Sequence, residues 1–114
     1  MRVPVSDQAR AVAFWTRNFG FTVARQQPFD ESQRWIELRI PGADTRLVVY
    51  LPTGSDALPG TFMNMAFTAD DVDRTYAALR TRGVEFVGPV HKADWGSSAV
   101  FKDSEGNSFL IVSP

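Results

Sequence analysis

The sequence predicts an α+β fold built from two tandem βαβββ modules, and three observations point to it. A helix-like segment opening on Asp7 and stopping at Gly20 recurs as one opening on Asp71 and stopping at Gly83. The two glycines lie 63 residues apart in a 114-residue chain. That spacing exceeds the roughly 20–50 residues of solenoid repeats and indicates a duplicated supersecondary unit. Each copy is preceded by a short apolar run and followed by segments of strand-like alternation. A Pro/Gly-rich stretch, residues 53–60 with Pro52 ahead of it, separates the copies.

In chain order, a first strand is expected over residues 3–5. Ser6-Asp7 then offers an N-cap, with a carboxylate where the helix dipole favours negative charge. Ala9, Val12, Ala13 and Thr16 share one face of this helix, and Gly20 supplies a left-handed stop. Strands follow over 21–25, 34–40 and 45–51, the last two flanking a Pro41-Gly42-Ala43-Asp44 turn. The second module opens with a strand over 62–68, and Asp70-Asp71 caps its helix. Val72, Thr75, Tyr76 and Leu79 recur at i, i+3, i+4 and i+7 as a buried stripe. Arg80 and Arg82 fall in the last turn before Gly83. Strands over 84–87, 98–102 and 108–112 complete the copy, the last two joined by the hairpin Asp103-Ser104-Glu105-Gly106-Asn107. The expected organisation is a single domain: module 1 over 1–52, a linker over 53–60, module 2 over 61–114.

Bulk properties narrow the function. A 44% hydrophobic content suits a folded chain of this length. The net charge of −1, from 12 basic and 13 acidic residues spread along the sequence, carries no footprint for nucleic acid or a membrane surface. No apolar run approaches the ~20 residues of a membrane span, and residues 1–5 do not read as a signal peptide, so a cytoplasmic location is expected. With no cysteine, disulfides, thiol nucleophiles and thiolate metal ligands are excluded.

Period two sorts the strand side chains into two faces. Ile36, Leu38 and Ile40 share one face with Leu47, Val49 and Leu51, which should pack beneath the helix. Trp35, Glu37 and Arg39, with Arg46, Val48 and Tyr50, form a mixed face that meets either solvent or a shared cleft. On the second alternative, Trp35, Arg39, Arg46 and Tyr50, with Asn64 across the cleft, supply aromatic walls and convergent polar donors of the kind small-molecule pockets use. By the same alternation Arg2 joins them. On the first, Arg39 and Arg46 are solvated and Glu37 forms a cross-strand pair with arginine.

The repeated βαβββ pattern, the segments Ala13-Phe14-Trp15 to Phe19-Gly20-Phe21 and Met65-Ala66-Phe67-Thr68-Ala69-Asp70-Asp71-Val72-Asp73, and Trp95-Gly96 followed by Phe101-Lys102-Asp103 to Asn107 together resemble the vicinal oxygen chelate superfamily. Glyoxalase-like proteins, bleomycin-resistance proteins, fosfomycin-resistance enzymes and extradiol dioxygenases belong to it. The resemblance spans nearly the whole chain. It implies two modules whose mixed sheets curl around a ligand cavity, and commonly a homodimer.

In metal-dependent members, the resemblance implies a divalent ion held by His, Gln and Glu side chains from the strands. One such position, seven residues before the second helix-opening aspartate, is Asn64 here. Another, four residues after the hairpin glycine, is Leu110, with Val48 as its first-module counterpart. The first-module counterpart of Asn64 falls ahead of Met1. Hard or borderline cations need carboxylate or imidazole donors, and an aliphatic side chain offers none. The expectation is therefore no metal and no cofactor.

Other sharp signals have plainer explanations. His91, the single histidine, sits among polar residues and reads as a solvated loop residue. Asp70, Asp71 and Asp73 read as helix-capping residues rather than a cation site. Ser97-Ser98 lacks a nucleophile elbow and a second histidine as base, and no phosphate-binding glycine loop is present. The expected function is sequestration or carriage of a small organic ligand by a metal-free homodimer. Trp35, Tyr50 and Trp95 would stack on the ligand, and Arg39, Arg46 and Asn64 would orient it. More arginine than carboxylate on that face favours a neutral or anionic planar ligand and disfavours cationic bleomycin itself. Two alternatives stand beside it: a metal-dependent lyase, isomerase or dioxygenase with atypical ligands, and an interaction scaffold whose cleft is filled.

Overall fold

The structure, a computed structural model, describes residues 2–52, 59–60 and 62–113, with the side chain of Asn64 outside the described set. Most of the expected linker, residues 53–58, also lies outside it. The chain divides into two compact units, 1–59 and 60–114.

The first unit runs β1 (Arg2–Pro4), α1 (Gln8–Phe19), β2 (Thr22–Pro28), β3 (Arg34–Arg39) and β4 (Arg46–Tyr50). Its four strands form one sheet in the order β1-β4-β3-β2, with β1 parallel to β4 and the rest antiparallel. The second unit runs β5 (Phe62–Thr68), α2 (Val72–Thr81), β6 (Glu85–Phe86), β7 (His91–Ala93), β8 (Gly96–Lys102) and β9 (Ser108–Ser113). Its sheet repeats the arrangement as β5-β9-β8-β6, with β5 parallel to β9 and β7 added against β8. Each sheet is thus drawn from its own module.

The repetition extends to single atoms. Asp7 and Asp71 cap their helices with nearly the same backbone, φ −142° and ψ 102° against φ −142° and ψ 101°. Each carboxylate accepts the backbone N–H three residues on, from Arg10 at 3.0 Å and from Arg74 at 3.1 Å. Just before each cap the chain is tied to the sheet: Val5 N–H donates to Tyr50 O at 2.8 Å, and Ala69 N–H to Val112 O at 2.9 Å. Both helices end on glycines of positive φ, Gly20 at 71° and Gly83 at 94°, where a side chain would be strained.

Each helix covers the apolar face of its own sheet. In the second unit the expected stripe is seen, with Val72 and Leu79 buried and Thr75 and Tyr76 half-buried, over Phe101, Phe109 and Ile111. In the first unit the buried positions are Ala11 and Trp15, whereas Ala9 is exposed. The expected stripe of Ala9, Val12, Ala13 and Thr16 is therefore rotated by about a third of a turn. Trp15 explains the shift: its large ring stacks on Phe21 at 5.5 Å and contacts Phe14 and Phe19. Burying it is worth more than burying three small residues.

Two strand boundaries also differ from expectation. β2 continues to Pro28, because the polar segment Arg25–Pro28 pairs with the start of β3. The segment around His91 is not a loop but β7, whose short hairpin with β8 has Asp94 and Trp95 at its tip. Backbone pairing there recruits residues whose side chains gave no alternation.

The hairpin between β8 and β9 holds a polar core. Asp103 Oδ1 accepts the N–H groups of Glu105 and Asn107, both at 2.9 Å, and its Oδ2 accepts Asn107 Nδ2 at 3.0 Å. The fully buried Asn107 then accepts Gly60 N–H on its own oxygen at 2.7 Å, pinning the start of the second unit. Asn107→Ala strands buried donors and acceptors and should cost about 2–3 kcal/mol in urea unfolding. Burial raises the Asp103 carboxyl above the usual 3.8, against the hydrogen bonds that lower it. The folded state therefore binds more protons than the unfolded state across that window. Asp103's own contribution to stability should grow as pH falls from neutral to below 3.8, so the wild-type advantage over Asp103→Asn should widen on acidification.

Candidate functional site

Cross-strand register collects the polar residues of the first sheet on one face. Arg25 lies opposite Glu37, Gln27 opposite Trp35, Glu37 opposite Val48, and Arg39 opposite Arg46. Arg2 lies opposite Val48 in the parallel pair. Ile36, Leu38, Leu47 and Val49 fill the other face and are buried, as the alternation requires. The mixed face consequently carries four arginines, Arg2, Arg25, Arg39 and Arg46, against one carboxylate, Glu37.

Glu37 organises one part of this face. Trp35 Nε1–H donates to its Oε2 at 2.6 Å, and Arg46 Nη1 donates to its Oε1 at 3.3 Å. Arg25 approaches within 3.9 Å. The Glu37 side chain is 18% exposed and Arg25 57%, so the bond to Trp35 is far better shielded than the contact with Arg25. The carboxylate fixes the plane of the Trp35 indole and occupies Arg46. The cross-strand reading of Glu37 is thus what the structure shows, and Arg46 is a partly compensated charge.

Aromatic groups and Arg2 organise the other part. The Arg2 guanidinium sits 4.4 Å above the centre of the Tyr50 ring, a cation–π arrangement. Phe29 and Trp35 meet at 5.9 Å between ring centres. A cavity of about 210 Å³ opens among Arg2, Phe29, Gln33, Trp35, Val48 and Tyr50. Of the sequence-predicted site residues, Trp35 and Tyr50 are brought together here. Arg39 and Arg46 lie on the same face but do not line the cavity.

Glutamine amides stiffen the cavity's frame. Gln33 Oε1 accepts Leu51 N–H at 2.9 Å and its Nε2 donates to Leu51 O at 3.2 Å, a side chain imitating a strand residue. Gln8 reaches from α1 to donate to Arg34 O and Val49 O at 2.9 and 3.0 Å, while accepting Arg34 N–H at 3.2 Å. The turn ahead of β3 is closed by Asp30 Oδ1, which accepts Ser32 N–H, Ser32 Oγ–H and Gln33 N–H within 2.9 Å. The Ser32 hydroxyl, then its N–H, lower the Asp30 carboxyl below its ordinary value. None of the glutamines was legible as a site residue, because an amide that imitates backbone has no sequence period.

The remaining predicted residues belong to the second unit. Trp95 is 58% exposed at the β7–β8 turn. Asn64 lies on β5, in the irregular stretch between the Phe62–Ser108 and Ala66–Leu110 pairs, with its side chain outside the described set. His91 is exposed and opposite Ser98. Asp71 is spent as a cap, and Asp73 is paired with Lys92.

The donors present bear on metal chemistry. Arg2 and Ala66 each stand five residues before their helix cap, and they pair with Val48 and Leu110 respectively. The register therefore makes Val48 and Leu110 counterparts, so the last-strand position that the resemblance implies is aliphatic in both units. Among the described residues no group of three or more His, Cys, Asp or Glu side chains converges. These residues do not fit a divalent ion of the kind the resemblance implies.

Comparison with known proteins agrees with the architecture. The family model described as "Glyoxalase/Bleomycin resistance protein/Dioxygenase superfamily" matches residues 1–111. The Bacillus subtilis (strain 168) protein YetH is 38% identical over 112 residues, covering 96% of this chain and 91% of YetH. Among solved structures, TnmS3, described as an antibiotic binding protein from Streptomyces sp. CB03234, is 36% identical with a TM-score of 0.87, over 100% of this chain and 92% of TnmS3. A superfamily member from Sphaerobacter thermophilus DSM 20745 reaches a TM-score of 0.92 at 29% identity, over 100% and 94% of the two chains.

The unequal bonds to Glu37 make a direct prediction. Glu37→Leu should cost about 1–2 kcal/mol, since it removes a charge-assisted bond and leaves the Trp35 N–H without its acceptor. Arg25→Ala should cost under about 0.5 kcal/mol, as exposed pairs do. Urea unfolding of the two variants checks the order.

Proposed function

This chain belongs to the glyoxalase/bleomycin resistance protein/dioxygenase superfamily, and within it we propose a binding role: reversible sequestration or carriage of a small, planar, neutral or anionic organic molecule. The observation that carries this reading is the aromatic-walled cavity on an arginine-rich sheet face. Trp35 and Tyr50 provide flat apolar surface, and the surplus of arginine over carboxylate repels cations and favours electron-rich ligands. Kinship with TnmS3, described as an antibiotic binding protein, supports the same direction.

The chemistry of the face supports binding without turnover. Its one carboxylate is bonded to an indole N–H and an arginine, and no histidine or cysteine accompanies it. The ligand is held by stacking and by charge complementarity. Aliphatic Val48 and Leu110 favour this over the metal-dependent alternative.

A melting-temperature screen against small aromatic acids, phenols and amides tests the reading. A ligand at 100 times its Kd should stabilise the protein by about 2.7 kcal/mol by mass action. That shift should be lost in Trp35→Ala and unaffected by chelators, and elemental analysis should find no stoichiometric transition metal. Metal-dependent turnover, or shifts that survive both Trp35→Ala and Tyr50→Ala, would overturn it.

A further inference from the structure

We infer that Arg2 is the anion-recognising residue of the first-unit cavity, and that the ligand class is a flat ring system of one or two fused rings bearing a single anionic oxygen group. The inference rests on the binding reading above and makes it specific.

Charge accounting separates Arg2 from the other arginines of the face. Arg46 and Arg25 share Glu37. Arg39 lies opposite Arg46, at the end of the strands away from the cavity. Arg2 lines the cavity and makes no ion pair among the described residues; its guanidinium lies over the Tyr50 ring. A ring face orients a guanidinium without neutralising it, and leaves its edge N–H groups available for bidentate contact with a carboxylate. The lining contains a second arginine, Arg34, and no acidic residue. The nearby Asp30 carboxylate is turned into its own loop by three hydrogen bonds.

Shape and polarity complete the assignment. Phe29, Trp35 and Tyr50 bring three aromatic rings to a space of about 210 Å³, smaller than the ~300–1,000 Å³ of drug-sized pockets. That space suits one or two fused rings. Glu37 is a positioning residue here: by holding Trp35 Nε1 at 2.6 Å it presents the indole in one orientation. The fold therefore leaves the Arg2 guanidinium, uncompensated among the described residues and oriented by the Tyr50 ring, beside an aromatic slot, and a flat monoanion satisfies both at once.

Three probes at neutral pH test this by calorimetric titration of the full chain: 2-naphthoate, its neutral isostere 2-naphthamide, and 2-naphthyltrimethylammonium. The wild type should bind naphthoate roughly tenfold or more tightly than the amide, as a charge-assisted contact requires, and should bind the cation least. Arg2→Gln should bring naphthoate and amide to within about twofold of each other, with the larger loss falling on naphthoate. Arg17→Gln, the same charge change on an exposed helix position, should alter neither affinity. Equal binding of acid and amide by the wild type, or a larger loss of naphthoate binding in Arg46→Gln than in Arg2→Gln, would overturn the assignment to Arg2 and leave the aromatic binding site standing. Failure of all three probes to bind at millimolar concentration would overturn both.

Discussion

A single helix can cover only one face of a four-stranded sheet, and the first unit is arranged around that constraint. Strict alternation along β3 and β4 sends Ile36, Leu38, Leu47 and Val49 toward α1, where Trp15 and Phe21 close over them. Each such side chain contributes roughly 1.5–3 kcal/mol on burial, so a slip of one residue in register would be prohibitive. The same alternation commits Trp35, Glu37, Arg39, Arg46, Val48 and Tyr50 to the opposite face whether or not they have partners there. The chemistry of the face is thus a consequence of the core.

That face carries an uneven balance of charge. Four arginines beside one carboxylate, with Arg39 directly opposite Arg46, form an arrangement that costs stability. Glu37 relieves part of it while fixing Trp35. Gln33 and Gln8 clamp the ends of β3 and β4, so the aromatic walls rest on fixed backbone rather than on a mobile turn. Order established before binding lowers the entropy a ligand must give up. Rigid aromatic groups next to an uncompensated guanidinium are the outcome.

The second unit repeats the scaffold with different chemistry. Asp71 matches Asp7 in cap geometry, and Leu110 matches Val48 in register, but Ala66 stands where the first unit has Arg2. Duplication preserved the helix stops, the parallel first strand and the caps, which are local and indifferent to ligand. Positions facing away from the helix were left to diverge.

These distinctions explain what the sequence revealed. Caps, glycine stops and the period-two strands depend on neighbours along the chain, so both helices, the module order and the two faces of β3 and β4 were legible. The face of α1 was not, because Ala9, Val12 and Ala13 make a tidy stripe that one large residue, Trp15, outweighs in three dimensions. β7 escaped because His91 and Lys92 are exposed and enter a strand through backbone pairing alone. Trp35 and Tyr50, which alternation puts on one face, both line the cavity. The division of labour among the arginines was invisible, since it depends on which guanidinium reaches Glu37. The most direct test of the central claim is the indole N–H spectrum of ¹⁵N-labelled protein titrated with 2-naphthoate. The account predicts that the Trp35 resonance, identified with Trp35→Phe, shifts progressively to saturation while that of buried Trp15 stays in place. A titration that saturates with Trp35 unmoved would contradict it.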